Sequence, residues 1–245
     1  MIKVKKISKS FSGRTILDQI SFDINEGDSI AIIGQSGVGK SVILKHLNGL
    51  LRPDKGDIEV DDVILNKLSF NKLQKIRKKM SMVFQFGALF DSLNIYDNIK
   101  LALDNLTNLN NSIKNERIME SLELVNLINT KDMLPSDLSG GMKKRIGIAR
   151  AISIKPKYIM YDEPTTGLDP INTDKIINLM KNVQRKDKVT SIIVTHEMKI
   201  VNEMADKIIM LFDGKVIFDG TTNELNSSND KYIKYFILGR KQGKK

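Results

Sequence analysis

Apolar positions follow two different periods along this chain, and the change between them divides it. Met1 to Lys6 alternates Ile and Val with Lys, the period of a half-buried strand. Ser29 to Ile33 is a short apolar run ending at Gly34, which predicts a buried strand, and Gly39 to Leu50 follows with helical character. Asp57 to Leu65 reads as a hairpin with Asp61 and Asp62 at its turn. Met80 to Phe84, Ile159 to Tyr161, Ile192 to Val194 and Ile208 to Phe212 are further apolar strand runs. Asp213-Gly214 is a strong two-residue hairpin turn between Phe212 and Val216. Strands alternating with helices predict an α/β sheet protein.

Between Phe86 and Lys155 the strand runs vanish. Ile95 to Leu103, Lys114 to Leu127 and Gly141 to Ile154 read as helices, with an Asn-rich connector at 105–112. This predicts a helical subdomain, about 86–155, inserted between two strands of the core. After an Asn-Ser linker at 226–229, Asp230 to Leu238 reads as a short terminal helix. Tyr232, Ile233, Phe236 and Ile237 form one stripe on it, with Lys231 and Lys234 off the stripe. So short a helix is not stable alone in water, so the stripe must dock, on the chain's own core or on a second subunit.

Composition narrows the class. The 245 residues suit one large domain or one domain with an insertion, and 41% hydrophobic residues can bury a proper core. No apolar run approaches the roughly 20 residues of a membrane-spanning helix, and the N-terminus reads as a strand, not a signal peptide. The absence of cysteine excludes disulfides and thiolate metal sites and fits a reducing cytoplasm. A net charge of +10 admits nucleic acid or an anionic membrane face as partner. The two basic clusters, Lys72 to Lys79 and Arg240 to Lys245, are not interleaved with aromatics as a base-stacking platform would be. A solvated Lys-rich surface is therefore the plainer reading, and no nucleic-acid partner is expected.

The chemistry starts at Gly34-Gln35-Ser36-Gly37-Val38-Gly39-Lys40-Ser41, a full P-loop pattern with Val42 beside it. The glycines let backbone N–H groups converge on phosphate oxygens, and the following helix N-terminus favours an anion. Lys40 suits the β and γ phosphates and the Ser41 hydroxyl suits Mg²⁺, which makes ATP with Mg²⁺ the expected ligand. Tyr158 to Tyr161 delivers Asp162 and Glu163 at a strand end, where open α/β sheets bind ligands. Asp162 is expected at the metal and Glu163 at the attacking water. Alone, an Asp-Glu pair after a strand is as often a loop start; the P-loop upstream gives it weight. His196, ending the strand Ile192 to Thr195, can donate to a γ-phosphate oxygen, although a lone His at a strand end is commonly structural. His46, inside the P-loop helix, reads as packing.

Ser139-Gly140-Gly141 opens the strongly basic helix that continues Lys143-Lys144-Arg145. Such a segment is either a plain Ser cap or a second backbone nest for an anion, belonging to another ligand or to a nucleotide shared across a dimer. The order of P-loop, Gln85, Leu-Ser-Gly-Gly, Asp162-Glu163, Leu168-Asp169 and His196 resembles the ATP-binding cassette family over roughly residues 1–225. The resemblance implies a RecA-like core sheet, an N-terminal antiparallel β subdomain and the inserted α-helical subdomain, with 226–245 as a tail. It puts Phe11 against adenine, makes Gln85 the link from Mg²⁺ and γ-phosphate to a membrane partner, and sets Asp169 at a dimer seam. Two copies would sandwich ATP, with Ser139 to Gly141 of one capping the γ-phosphate held by the other. Met142 departs from the family's usual Gln and leaves the backbone nest unaffected.

Within the family, Phe84 to Phe90, Gly140 to Arg145 and Thr166 to Ile171 look like phospholipid transporters of the Mla or MCE type. That implies an ATPase on the cytoplasmic face of the inner membrane, working with integral membrane permease subunits and an MCE-type lipid-binding subunit. Phe86, Leu89, Phe90, Ile95 and Tyr96 are candidate permease contacts, unless they pack the insertion. Other readings are an importer ATPase for another small solute, a non-transport cassette ATPase, or a P-loop kinase or GTPase. The last needs an Asn-Lys-x-Asp motif, which Asn115-Glu116-Arg117 does not supply.

Overall fold

The computed structural model describes residues 1–238, so the expected basic end at 240–245 lies outside the described residues. The chain forms two compact units: Met1–Ser69 together with the chain from Ile192 on, and Phe70–Ser191. The second unit takes in the expected insertion together with two strands and the long helix that follows them.

In the first unit, β1 (Ile2–Phe11), β2 (Arg14–Ile24), β4 (Lys55–Val60) and β5 (Val63–Ile64) make an antiparallel sheet in the order β2-β1-β4-β5. Its register sets apolar against apolar: Ile2 faces Ile24 and Val60, and Val4 faces Phe22 and Ile58. The alternate residues Lys3 and Lys5 fall on the other face, where both pair with Glu59 at 3.2 and 2.6 Å. The β4–β5 turn is the expected one, with Asp61 and Asp62 both left-handed at φ 48° and 63°. The second sheet of this unit runs β10 (Lys215–Gly220), β9 (Lys207–Phe212), β3 (Ser29–Ile33) and then β8 (Thr190–Thr195), whose last four residues belong to the unit. β3 lies parallel to β9, and every residue of β3 is buried, as a strand covered on both faces requires. α1 (Lys40–Leu47), α7 (Met198–Met204), α8 (Thr222–Ser227) and α9 (Lys231–Ile237) complete the unit.

The second unit pairs β6 (Met80–Val83) in parallel with β7 (Tyr158–Asp162). Its helices are α2 (Phe70–Arg77), α3 (Ile95–Leu106), α4 (Asn111–Leu124), α5 (Gly140–Ser153) and α6 (Pro170–Asp187). The expected connector supplies a cap: Asn110 accepts from the Ile113 N–H at 2.9 Å, so α4 starts before Lys114. It also stops before Leu127, because Asn126 turns left-handed at φ 54°.

Several elements escaped the periodicity reading. β2 alternates through Ile20, Phe22 and Ile24, which was readable, and an irregularity at Gln19, φ 51°, sets buried Leu17 three residues before Ile20. The start of α6 is signalled by Asp169 followed by Pro170, a cap and an N1 proline. α8 carries a reciprocal capping box between Thr221 and Glu224 and runs to Ser227, so the 226–229 linker begins inside a helix. α2 and α7 are short, and nothing local marks them strongly.

The terminal stripe docks on the chain's own core. Ile233, 3% exposed, packs into a cluster with Ala31, Ile33, Val201, Ile208, Met210 and Leu225, flanked by Tyr232, Phe236 and Ile237. The Tyr232 ring lies 4.1 Å from that of Phe212, and its hydroxyl is buried with no hydrogen-bond partner among the described residues. Ile233→Ala is therefore expected to cost about 2–5 kcal/mol, read by calorimetry as a lower Tm that does not depend on protein concentration. Tyr232→Phe, which removes only the unsatisfied hydroxyl, should leave Tm unchanged or raise it.

Candidate functional site

The P-loop joins β3 to α1, and two close approaches fix its ends. A Cβ on Gly34 would lie 2.6 Å from the Leu211 carbonyl oxygen, and one on Gly39 would lie 2.8 Å from the Leu17 side chain. Gly34, Gly37 and Gly39 all have positive φ, which glycine alone adopts without strain. Between them Gln35, Ser36 and Gly37 form an exposed tip, and a Cβ on Gly37 would meet nothing. Lys40 is 5% exposed, and its ammonium donates to the carbonyls of Gly34 at 2.8 Å and Gln35 at 3.1 Å. Gly39 caps α1 with no side-chain hydrogen bond, and the first turn carries no acid, so nothing on the side chains competes with an anion there. Ser41 and Val42 are half-buried in that first turn.

Elsewhere in this unit, Phe11 ends β1 with its ring 43% exposed and the Lys9 ammonium 5.4 Å from its centroid. His196 is exposed just after β8, where the Thr195 hydroxyl accepts from the Glu197 N–H at 3.0 Å. His46 is fully buried with Nδ1 2.7 Å from the Val42 carbonyl, and burial pushes its pKa down. That is the packing role expected of it.

In the second unit, Asp162 and Glu163 are half-buried where β7 ends. Glu163 is left-handed, φ 50°, a strained conformation for a residue with a Cβ, and its Oε2 accepts from the Thr166 hydroxyl at 3.0 Å. Asp169 caps α6 by accepting from the Asn172 N–H at 2.9 Å; this backbone bond, aided by the Asn172 side chain, holds its pKa below the usual range. Gln85 is half-buried after β6. Ser139 caps α5 through the Met142 N–H at 3.3 Å; Gly140 is open, and a Cβ on Gly141 would sit 3.5 Å from Asn172.

The basic residues of α5 do work that their spacing did not reveal. Lys144, 6% exposed, donates to the carbonyls of Pro164 at 3.1 Å and Thr166 at 2.8 Å. Arg145 donates to Val125 at 3.1 Å, and Arg150 donates to Gly87 at 2.9 Å and Ala88 at 2.7 Å. One helix thus pins the segment after Glu163 and the segment after Gln85. Gly147 permits this, since its Cβ would be 3.1 Å from the Gly87 Cα. Asn98, 1% exposed, binds both N–H and carbonyl of Phe90 and the carbonyls of Leu93 and Asn94. Phe86 and Phe90 are presented to solvent at 79% and 55% exposure, and Leu89 and Tyr96 are half-buried. Ile95 is fully buried and belongs to the core, which removes it from the candidate contacts.

The profile of the family described as ABC transporter matches residues 17–166. The intermembrane phospholipid transport system ATP-binding protein MlaF of Haemophilus influenzae is 37% identical, covering 99% of this chain and 92% of that protein. The methionine import ATP-binding protein MetN of Carboxydothermus hydrogenoformans is 38% identical over 92% of this chain and 67% of that protein. Among solved structures, a dimeric post-hydrolysis state of the cassette MJ0796 bound to ADP and Pi is 31% identical. It aligns with a TM-score of 0.83 over 90% of this chain and 98% of that one.

Lys144→Met should strand two carbonyls that now share one buried donor. We expect a loss of about 1–3 kcal/mol, or roughly 2–10 °C in Tm by calorimetry; an unchanged Tm would remove Lys144 from this role.

Proposed function

Because the chain belongs to the ABC transporter family, as an ATPase that drives transport, we propose that the solute it serves is phospholipid, moved between bacterial membranes. The observation that carries this is the match to MlaF across 92% of that protein's length, against 67% of MetN's at similar identity. The stretches Phe84 to Phe90, Gly140 to Arg145 and Thr166 to Ile171 support the same reading. Its partners are then a second copy of itself, integral permease subunits and an MCE-type lipid-binding subunit, on the cytoplasmic face of the inner membrane. No helix among the described residues is long and apolar enough to cross a membrane, and in this reading the permease subunits supply the path for the solute. Exposed Phe86 and Phe90, on a loop held by Asn98 and Arg150, are the permease contacts of this reading.

In this assignment Phe11 offers its exposed face to adenine. Residues Gly34 to Val42 hold the phosphates, with Lys40 exchanging its carbonyl partners for β and γ phosphate oxygens. Ser41 and Asp162 are hard oxygen donors suited to Mg²⁺, joined by Gln85, and the ion neutralises phosphate charge when bound. Glu163 takes the proton of the attacking water, and His196 donates to a γ-phosphate oxygen. Ser139, Gly140 and Gly141 cap the nucleotide of the second copy, beside Asp169.

Three measurements test the assignment. Lys40→Ala should weaken ATP binding in an equilibrium titration, because a charge-assisted contact is removed. Glu163→Gln should keep binding and lose at least about 100-fold in turnover, since a general base typically contributes that much or more. The same variant should sediment as a dimer at saturating ATP and Mg²⁺. For the solute, the complex purified with its permease should carry phospholipid by mass spectrometry. A lipid-free complex whose ATPase responds to methionine would overturn the phospholipid reading and leave the ATPase reading standing.

A further inference from the structure

The ATPase leaves the cluster at Lys72 to Lys79 without a task. No Asp or Glu occurs between Asp62 and Asp91, while Lys67, Lys72, Lys75, Arg77, Lys78 and Lys79 all do. Several lysines elsewhere are neutralised locally. Lys3 and Lys5 pair with Glu59, Lys9 with Asp54, Lys67 with Asp57, and Lys100 and Lys114 with Asp104. Lys72, Lys75 and Lys78 are exposed, and no carboxylate pairs with them among the described residues.

α2 carries Lys72 and Lys75, Lys78 lies in the turn just after it, and the helix is anchored thinly. Leu73 is the buried residue of α2, with Ile76 half-buried beside it. Phe70, in the first turn, is 67% exposed, among the most exposed large apolar side chains described. A ring left in water at the start of a helix whose exposed side bears cations and no carboxylate has the chemistry of an interfacial helix. Lysines there meet anionic headgroups while the ring enters the headgroup layer. A single strand held by base stacking would call for aromatics interleaved among the cations, and α2 has Phe70 alone.

We propose that α2 and the turn after it are a contact surface for anionic lipid, with Lys72, Lys75 and Lys78 facing the headgroups and Phe70 inserted among them. The contact does not depend on which solute the transporter carries. It would hold the ATPase against the membrane independently of the permease loop at Phe86 and Phe90.

Co-sedimentation of the full chain with vesicles tests this. Binding should be strong to mixed phosphatidylcholine and phosphatidylglycerol, weak to phosphatidylcholine alone, and should fall as salt rises. Each lysine near an anionic surface is worth roughly fivefold in affinity, so replacing all three (K72Q, K75Q, K78Q) should cost on the order of 100-fold. Phe70→Ser should weaken binding with its salt dependence intact. Both variants should keep the wild-type Tm and ATPase rate, since these side chains are solvent-exposed and outside the nucleotide assignment. Three results would overturn the proposal: wild-type indifference to phosphatidylglycerol, full binding by the triple variant, or binding lost only when residues 240–245 are deleted. Tighter binding to a duplex oligonucleotide, abolished in the same triple variant, would reassign the surface to nucleic acid.

Discussion

A buried ammonium must be solvated by something, and in this protein the backbone of the functional loops does it. Lys40 and Lys144 are the two lysines that lie buried among the described residues, one in each compact unit. Each meets a pair of carbonyls: Gly34 and Gln35 in one case, Pro164 and Thr166 in the other. An unpaired charge in that position would cost several kcal/mol, so the loops must turn their oxygens inward. For the P-loop this inward turn uses positive φ at Gly34, Gly37 and Gly39. For the segment after β7 it accompanies a left-handed Glu163, where a side chain makes the conformation costly. The cation thus shapes the loop, and the loop sets the direction of the candidate side chain.

The same economy organises α5. Its cations were legible as a basic helix, a pattern that points toward anions or solvent. Instead Lys144, Arg145 and Arg150 spend their donors on carbonyls of three separate loops. Guanidinium groups suit this because several donors leave one plane in fixed directions. A small residue at Gly147 lets the backbone of the Gly87 loop come within reach. The rigid presentation of Phe86 and Phe90 follows from these bonds and from Asn98, not from apolar packing of the rings themselves.

Relatives 37% and 38% identical to this chain over the matched residues are named for phospholipid transport and for methionine import. That spread has a physical reason. A cassette handles nucleotide, and the machinery for doing so is the same whatever is moved. Selectivity for the solute resides where the solute is touched, so within the cassette it can be marked only by surfaces that fit one permease rather than another. In the proposed assignment the exposed aromatic loop after Gln85 is such a surface, whereas the P-loop and the Asp162-Glu163 pair are not.

Much of the fold was readable because its signals are local. β3 and β9 are continuous apolar runs, the Asp61-Asp62 and Asp213-Gly214 turns need φ that their residues tolerate, and helix starts carry their own caps. β2, α6 and α8 carried such signals too, in alternation, in Asp169-Pro170 and in the Thr221–Glu224 box. The candidate site was legible for the same reason: a phosphate cradle needs glycines, a lysine and a hydroxyl at fixed spacing. What tertiary structure decided is every choice between partners far apart in sequence. Periodicity could not tell that Ile95 faces the core while Phe90 faces water, or that Lys144 reaches a loop 20 residues away. Nor could it tell that the tail stripe finds Ala31, Ile208 and Met210 of its own chain. Apolar burial is non-directional, and a cation bonds whichever carbonyl the fold brings near. The sequence therefore determined which groups needed partners, and only the packed chain determined which partners they found.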